Sequence, residues 1–216
     1  MNNKKNIFKI TLFFIYLLIV WGVYRFLWSG NYLWDELFFK PLLWLLPTLY
    51  LVKKIEKKEL ISLGLVFGKP LKNILLGIGV GLFILGEYLL ALYFKGQKIG
   101  FNPQGIRGFY WLFYFIACLG TGLVEEITFR GFFMTRINKL INDKLISNII
   151  AGLLFFFIHF PILIFVQEQG RRGIMQFFIL SLSLGIIDGY IFWKTKGILA
   201  PIAAHASLNF LSLLIG

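Results

Sequence analysis

Phe115 to Gly131 read FIACLGTGLVEEITFRG, an apolar run that carries two adjacent carboxylates and an arginine, Glu125, Glu126 and Arg130. A stretch this apolar reads as a membrane helix. Ionisable side chains in hydrocarbon are expensive, and they face a bundle interior where they serve a function. Two further apolar runs show the same anomaly. AGLLFFFIHF, 151–160, holds His159, and APIAAHASLNF, 200–210, holds His205; these are the two histidines of the chain. Two imidazoles and paired carboxylates on separate helices can activate water, which points to a hydrolase working within or at the edge of a bilayer.

The rest of the chain suits that setting. It is 58% hydrophobic and only 15% charged, where soluble domains average roughly 45–50% and about 25%. Seven apolar segments, 7–28, 37–52, 71–94, 109–130, 147–166, 174–193 and 198–215, approach the length that crosses about 30 Å of hydrocarbon. The expected fold is therefore an all-α, polytopic membrane helix bundle of about seven transmembrane helices. No polar stretch is long enough to fold separately, so residues 1–216 form a single membrane domain. The second segment is short and holds Pro41 and Pro47, so it reads as tilted, kinked or partly re-entrant. The first follows Lys4, Lys5 and Lys9, but it is too long for a signal-peptide core and is read as a retained span.

The net charge of +12 needs no nucleic acid to explain it. Fifteen Lys and Arg fall in the loops on the N-terminal side of the bundle and seven in those on the other side. That bias places the N-terminus in the cytoplasm and the protein in the cell membrane as a multi-pass chain, its basic loops against an anionic leaflet. Cys118 is the sole cysteine, which excludes a disulfide framework. Its place in an apolar helix reads as packing.

Depth along the helices gathers the polar residues. At 1.5 Å per residue, Glu125 and Glu126 lie roughly 6–8 Å from the end near Arg130, His205 roughly 10 Å from Ile198, and His159 roughly 18 Å from Ser147. Glu126 and Arg130 are spaced i,i+4, as are His205 and Asn209, so each pair shares a helix face. Pro161 removes a backbone donor just after His159 and can open the helix there. Gly120, Gly122, Gly131, Gly152, Ala203, Ala204 and Ala206 permit close packing around these positions. Glu87 and Asp188 are further acids in apolar runs with no obvious partner.

Glu125-Glu126-x-x-x-Arg130, Phe155-x-x-x-His159 and His205-x-x-x-Asn209, in that order, resemble the three motifs of the CPBP family, the type II CAAX prenyl endopeptidases and their bacterial Abi relatives. The resemblance covers 109–216, and the stretch KTKGILAPIAAHASLNF, 194–210, is close to the usual text around the last motif. It implies an intramembrane endopeptidase that cleaves a membrane-associated peptide or protein and is reached from the cytoplasmic side. In that family's scheme Glu125 is the general base and His159 helps to hold the attacking water. His205 and Asn209 stabilise the oxyanion, Arg130 holds the glutamates in place, and Glu126 supports. The family is described both as metalloprotease and as metal-free. Zinc is the cofactor that Glu125, His159 and His205 would hold, but the HExxH helix of many zinc proteases is missing. Relatives are linked to bacteriocin self-immunity and peptide maturation. The competing reading is a non-catalytic immunity or scaffold protein that binds a peptide or a transporter.

Overall fold

The computed structural model describes residues 3–215 apart from 29, 97–98, 101–108 and 167–170. Its architecture is a bundle of membrane-length helices. Helix α1 is Asn3–Leu27. Helix α2 is the run 32–55, built from Tyr32–Trp34, Asp35–Phe39, Pro41–Leu45, Leu46–Tyr50 and Leu51–Ile55. Then come α3, Pro70–Phe94, α4, Tyr110–Ile141, α5, Lys144–Phe157, and α6, Phe160–Phe165. Helix α7 is Arg171–Thr195 and α8 is Leu199–Ser212.

All seven apolar segments are helical, yet among the described residues five helices are long and apolar enough to cross a membrane by themselves: Asn3–Leu27, Pro70–Phe94, Tyr110–Ile141, Lys144–Phe165 and Phe177–Thr195. Helix α2 misses that standard because Asp35, Glu36 and Lys40 occupy its first turns, and α8 because it has 14 residues. Helix α2 is continuous and helical throughout. It runs on through three wide π-type turns, and Pro41 and Pro47, which lack N–H groups, fall where the winding changes. Leu71, Leu82, Phe83, Leu90 and Phe94 on α3, and Ile7, Phe8 and Ile19 on α1, are exposed, forming the apolar outer belt that a bilayer covers.

Inside the belt, aromatic rings fill the centre. Phe132 and Phe133 of α4 are buried against Phe13 of α1, with ring centroids 5.2 and 5.6 Å apart, and Phe129 is buried between Trp44 of α2 and Phe155 of α5, at 6.0 and 5.2 Å. The α4–α5 corner is tight. Asn142 takes the left-handed conformation that stops α4, and the Asp143 carboxylate accepts from the Leu145 and Ile146 amides at 2.8 and 3.0 Å to start α5.

Small residues set the closest helix approach. A Cβ placed on Gly77 would lie 2.3 Å from the Ala200 carbonyl oxygen, and one on Gly81 would lie 2.6 Å from that of Ala204. Residues 77 and 81 thus form a Gly-x-x-x-Gly face on α3 against the alanines of α8. Gly81→Val is expected to lower bundle stability by about 1–3 kcal/mol, read as a lower unfolding midpoint in detergent. An unchanged midpoint would show that the two backbones do not meet.

Candidate active site

The sequence places Glu125 and Glu126 side by side, and the structure sends them to different partners. Both are buried, at 1% and 0% exposure, so every contact they make is with protein or with a cavity. Glu126 stays close to its own helix: Arg130 donates to its Oε1 at 2.8 Å, one turn along. The other arm of Arg130 donates to the Gly185 carbonyl of α7 at 3.0 Å, and its guanidinium lies 4.7 Å from the centre of the Phe155 ring. A Cβ on Gly185 would lie 3.1 Å from the Gly152 Cα, so α5 and α7 approach closely where the arginine reaches across. Arg130 therefore joins α4, α5 and α7 as well as holding Glu126.

Glu125 reaches α2. Its Oε1 accepts from Lys40 Nζ at 2.7 Å. Lys40 also forms an ion pair with Glu36 one turn before it, and Thr121 Oγ1 donates to Glu36 Oε2 at 2.7 Å. Motif reading missed Lys40 and Glu36, and the count of Lys and Arg by loop assigned Lys40 and Arg25 to loops on the side away from the N-terminus. Both cations are instead buried, at 5% and 4% exposure. Arg25 is paired with Asp35 and lies over the Trp21 ring, 4.3 Å from its centre.

Two histidines approach the other oxygen of Glu125. His205 Nε2 is 3.5 Å and His159 Nε2 is 3.9 Å from Oε2. Each ring is held at its opposite nitrogen. His205 Nδ1 lies 2.9 Å from Glu126 Oε1, and His159 Nδ1 lies 2.7 Å from the Phe155 carbonyl. A carbonyl can only accept, so Nδ1 of His159 donates and the ring is fixed with Nε2 towards Glu125. The break between α5 and α6 makes that bond available. The His159 amide bonds the Phe156 carbonyl in a tightened turn, which leaves the Phe155 carbonyl for the ring.

Asn209 lies one turn beyond His205 on the wall of a cavity of about 550 Å³ that Glu125, His159 and His205 also line. Asp188, seen in the sequence as a lone acid, belongs to the cluster. It is fully buried on α7, and it, Glu126 and His205 each bring a donor atom within 4.8 Å of the others. Neither Asp188 oxygen has a hydrogen-bond partner, nor do Glu125 Oε2 and Glu126 Oε2. Glu87 is separate: it lines a smaller groove between α3 and α7.

Glu36, Glu125, Glu126 and Asp188 outnumber the two cations Lys40 and Arg130, and their unpartnered oxygens suit a cation or protons. The residues fit a divalent ion, and the donor set gathered within 4.8 Å is Glu126, Asp188 and His205. Glu125, His159 and His205 stand in a looser arrangement around Glu125 Oε2.

No curated protein and no solved structure matches the chain. Residues 107–211 match the family model described as type II CAAX prenyl endopeptidase Rce1-like. That segment contains Glu125, Glu126, Arg130, His159, Asp188, His205 and Asn209, while Glu36 and Lys40 precede it. The match over residues 107–211 thus supports the resemblance to the type II CAAX prenyl endopeptidases, a family of membrane proteases.

Proposed function

We propose that the protein is an intramembrane endopeptidase in which Glu125 activates water against a peptide bond of a membrane-associated peptide or protein. The supporting observation is the division of labour at Glu125. Lys40 occupies Oε1, while Oε2 is turned towards the cavity between the Nε2 atoms of His159 and His205. Glu125 Oε2 takes a proton from the water as its oxygen attacks the scissile carbonyl carbon, with His159 Nε2 orienting that water. Asn209 and His205 face the carbonyl oxygen that becomes the oxyanion. When the C–N bond breaks, the amine leaves with the proton held by Glu125. Arg130 and Glu126 act on His205 by fixing its ring, and so are positioning residues.

A divalent ion held by Glu126, Asp188 and His205 would supply Lewis-acid polarisation beside the reacting carbonyl. Protection against a bacteriocin, or maturation of a peptide, is the process such cleavage would serve.

The test compares peptide termini in membranes and medium of cells carrying the wild type with those carrying an equally expressed Glu125→Ala/His205→Ala protein. New peptide ends confined to the wild type establish proteolysis and name the substrate. Identical peptide sets, with any cellular effect retained by the double variant, would replace this reading with a peptide- or transporter-binding scaffold.

A further inference from the structure

The cavity lies on one side of its reacting groups. From Glu125 and His205 it extends along every helix in the same direction, reaching Arg25 near the end of α1, Tyr32 at the start of α2, Leu92 near the end of α3 and Ser212 at the end of α8. In the opposite direction the bundle is closed. Phe129, Phe132, Phe133 and Ile198 are all exposed by 1% or less.

The closed end is the lysine-rich end. Lys53 and Lys54 end α2 there, Lys57 and Lys58 follow it, and Lys139, Lys144, Lys194 and Lys196 lie at or beside the turns between later helices. Among the described residues, Arg130 and Arg136 at that end and Arg25 and Lys40 at the other are buried. Fifteen Lys and Arg at that end against seven at the other give the bias that keeps the lysine-rich end in the cytoplasm.

We infer that the cavity is entered from the non-cytoplasmic face and that its occupant is a polypeptide segment presented at the outer leaflet. The nature of the occupant rests on the proteolytic reading above, while the sidedness rests on the cavity and the charge distribution alone. A second way in joins the cavity from the lipid. An apolar groove of about 260 Å³ runs between the outer halves of α3 and α7, and Tyr88 and Leu180 line both spaces. A chain lying in the outer leaflet can pass between these helices, whereas a tail released from a cytosolic ribosome meets the aromatic seal. This inference departs from the cytoplasmic access that the family resemblance implies.

Cysteine accessibility tests the sidedness. Single cysteines are placed in the cavity wall by Ser181→Cys and Ser212→Cys, and in the lysine-rich segment by Lys58→Cys, each in a Cys118→Ala background. Because Cys118 is itself fully buried, the same substitutions in the unaltered chain serve if that background folds poorly. A membrane-impermeant maleimide is applied to right-side-out and to inverted vesicles. The wall positions are expected to label at least about tenfold faster in right-side-out vesicles, and Lys58→Cys in inverted ones. Labelling of wall and lysine segment from the same face, or labelling of Lys58→Cys from outside, overturns the inference, and so does a wall that labels from neither. A protein that cleaves nothing would leave this pattern intact, so the two readings fail separately.

Discussion

Glu125→Gln is expected to abolish cleavage, by about 10²–10⁴-fold in kcat if the amide removes only the general base, while the bundle stays folded. The substitution keeps the shape of the side chain and takes away the oxygen that accepts the proton. Lys40 retains an anionic partner in Glu36, so no cation is stranded. The His205 ring stays fixed by Glu126, and the wall of the cavity is unchanged. The measurement pairs turnover of the substrate with the unfolding midpoint of the purified protein in detergent. Unchanged turnover with Gln at 125 would remove Glu125 from the chemistry. Lost turnover together with a collapsed midpoint would make it a structural ion-pair partner instead.

Lys40→Met is expected to cost both stability and activity. Its ammonium lies between two buried carboxylates, Glu125 and Glu36, and is itself 5% exposed. Removing the cation from a buried pair leaves uncompensated charge, which costs about 3–5 kcal/mol. Here two carboxylates are left facing each other in place of one. The stability loss therefore comes from the remaining acids, and Lys40→Met combined with Glu36→Gln should recover most of the unfolding midpoint. Activity should stay low in that double variant, because nothing then holds Oε1 of Glu125 and either oxygen can turn to the histidines. A Lys40→Met protein that melts and cleaves like the wild type would show that the Lys40–Glu125 contact carries neither function.

Much of this site is legible in the amino-acid sequence, and the parts that are not have physical reasons. Ionisable residues in apolar runs point to Glu125, Glu126, Arg130, His159 and His205, and helical rise puts them at comparable depth. The same arithmetic finds Asp188 once it is applied there. This acid lies seven residues before the end of α7 at Thr195, about 10 Å along the axis, which is the depth of His205. Lys40 is hidden by its neighbour Pro41, since a lysine at the start of a short, proline-broken segment reads as an interfacial anchor. The clue is in the charge balance: Arg130 neutralises Glu126, and Glu125 has no cation of its own nearby in the chain. Glu36 and Lys40, spaced i,i+4 at the mouth of an apolar segment, are the available answer. The direction of the cavity is not legible in this way. Rise per residue fixes where a side chain lies along its helix, but a void belongs to the packing of several helices at once. The closing aromatics Phe129, Phe132 and Phe133 read as ordinary apolar filler until their partners on the other helices are known.

From Val124 to Met134 every residue of α4 is buried, so this stretch has no side that can rest against lipid. That has a consequence for biogenesis. A nascent α4 released into the bilayer by itself would show Glu125, Glu126 and Arg130 to hydrocarbon, at a cost on the order of 3 kcal/mol for each charge. The helix is therefore tolerable only once α1, α2, α5, α7 and α8 have closed around it. A chain that loses any one of these neighbours displays charge in the membrane plane, a signal by which membrane quality-control proteases can tell a half-built molecule from a finished one. The same enclosure that keeps the cluster away from lipid thus makes a missing neighbour visible as charge in the membrane.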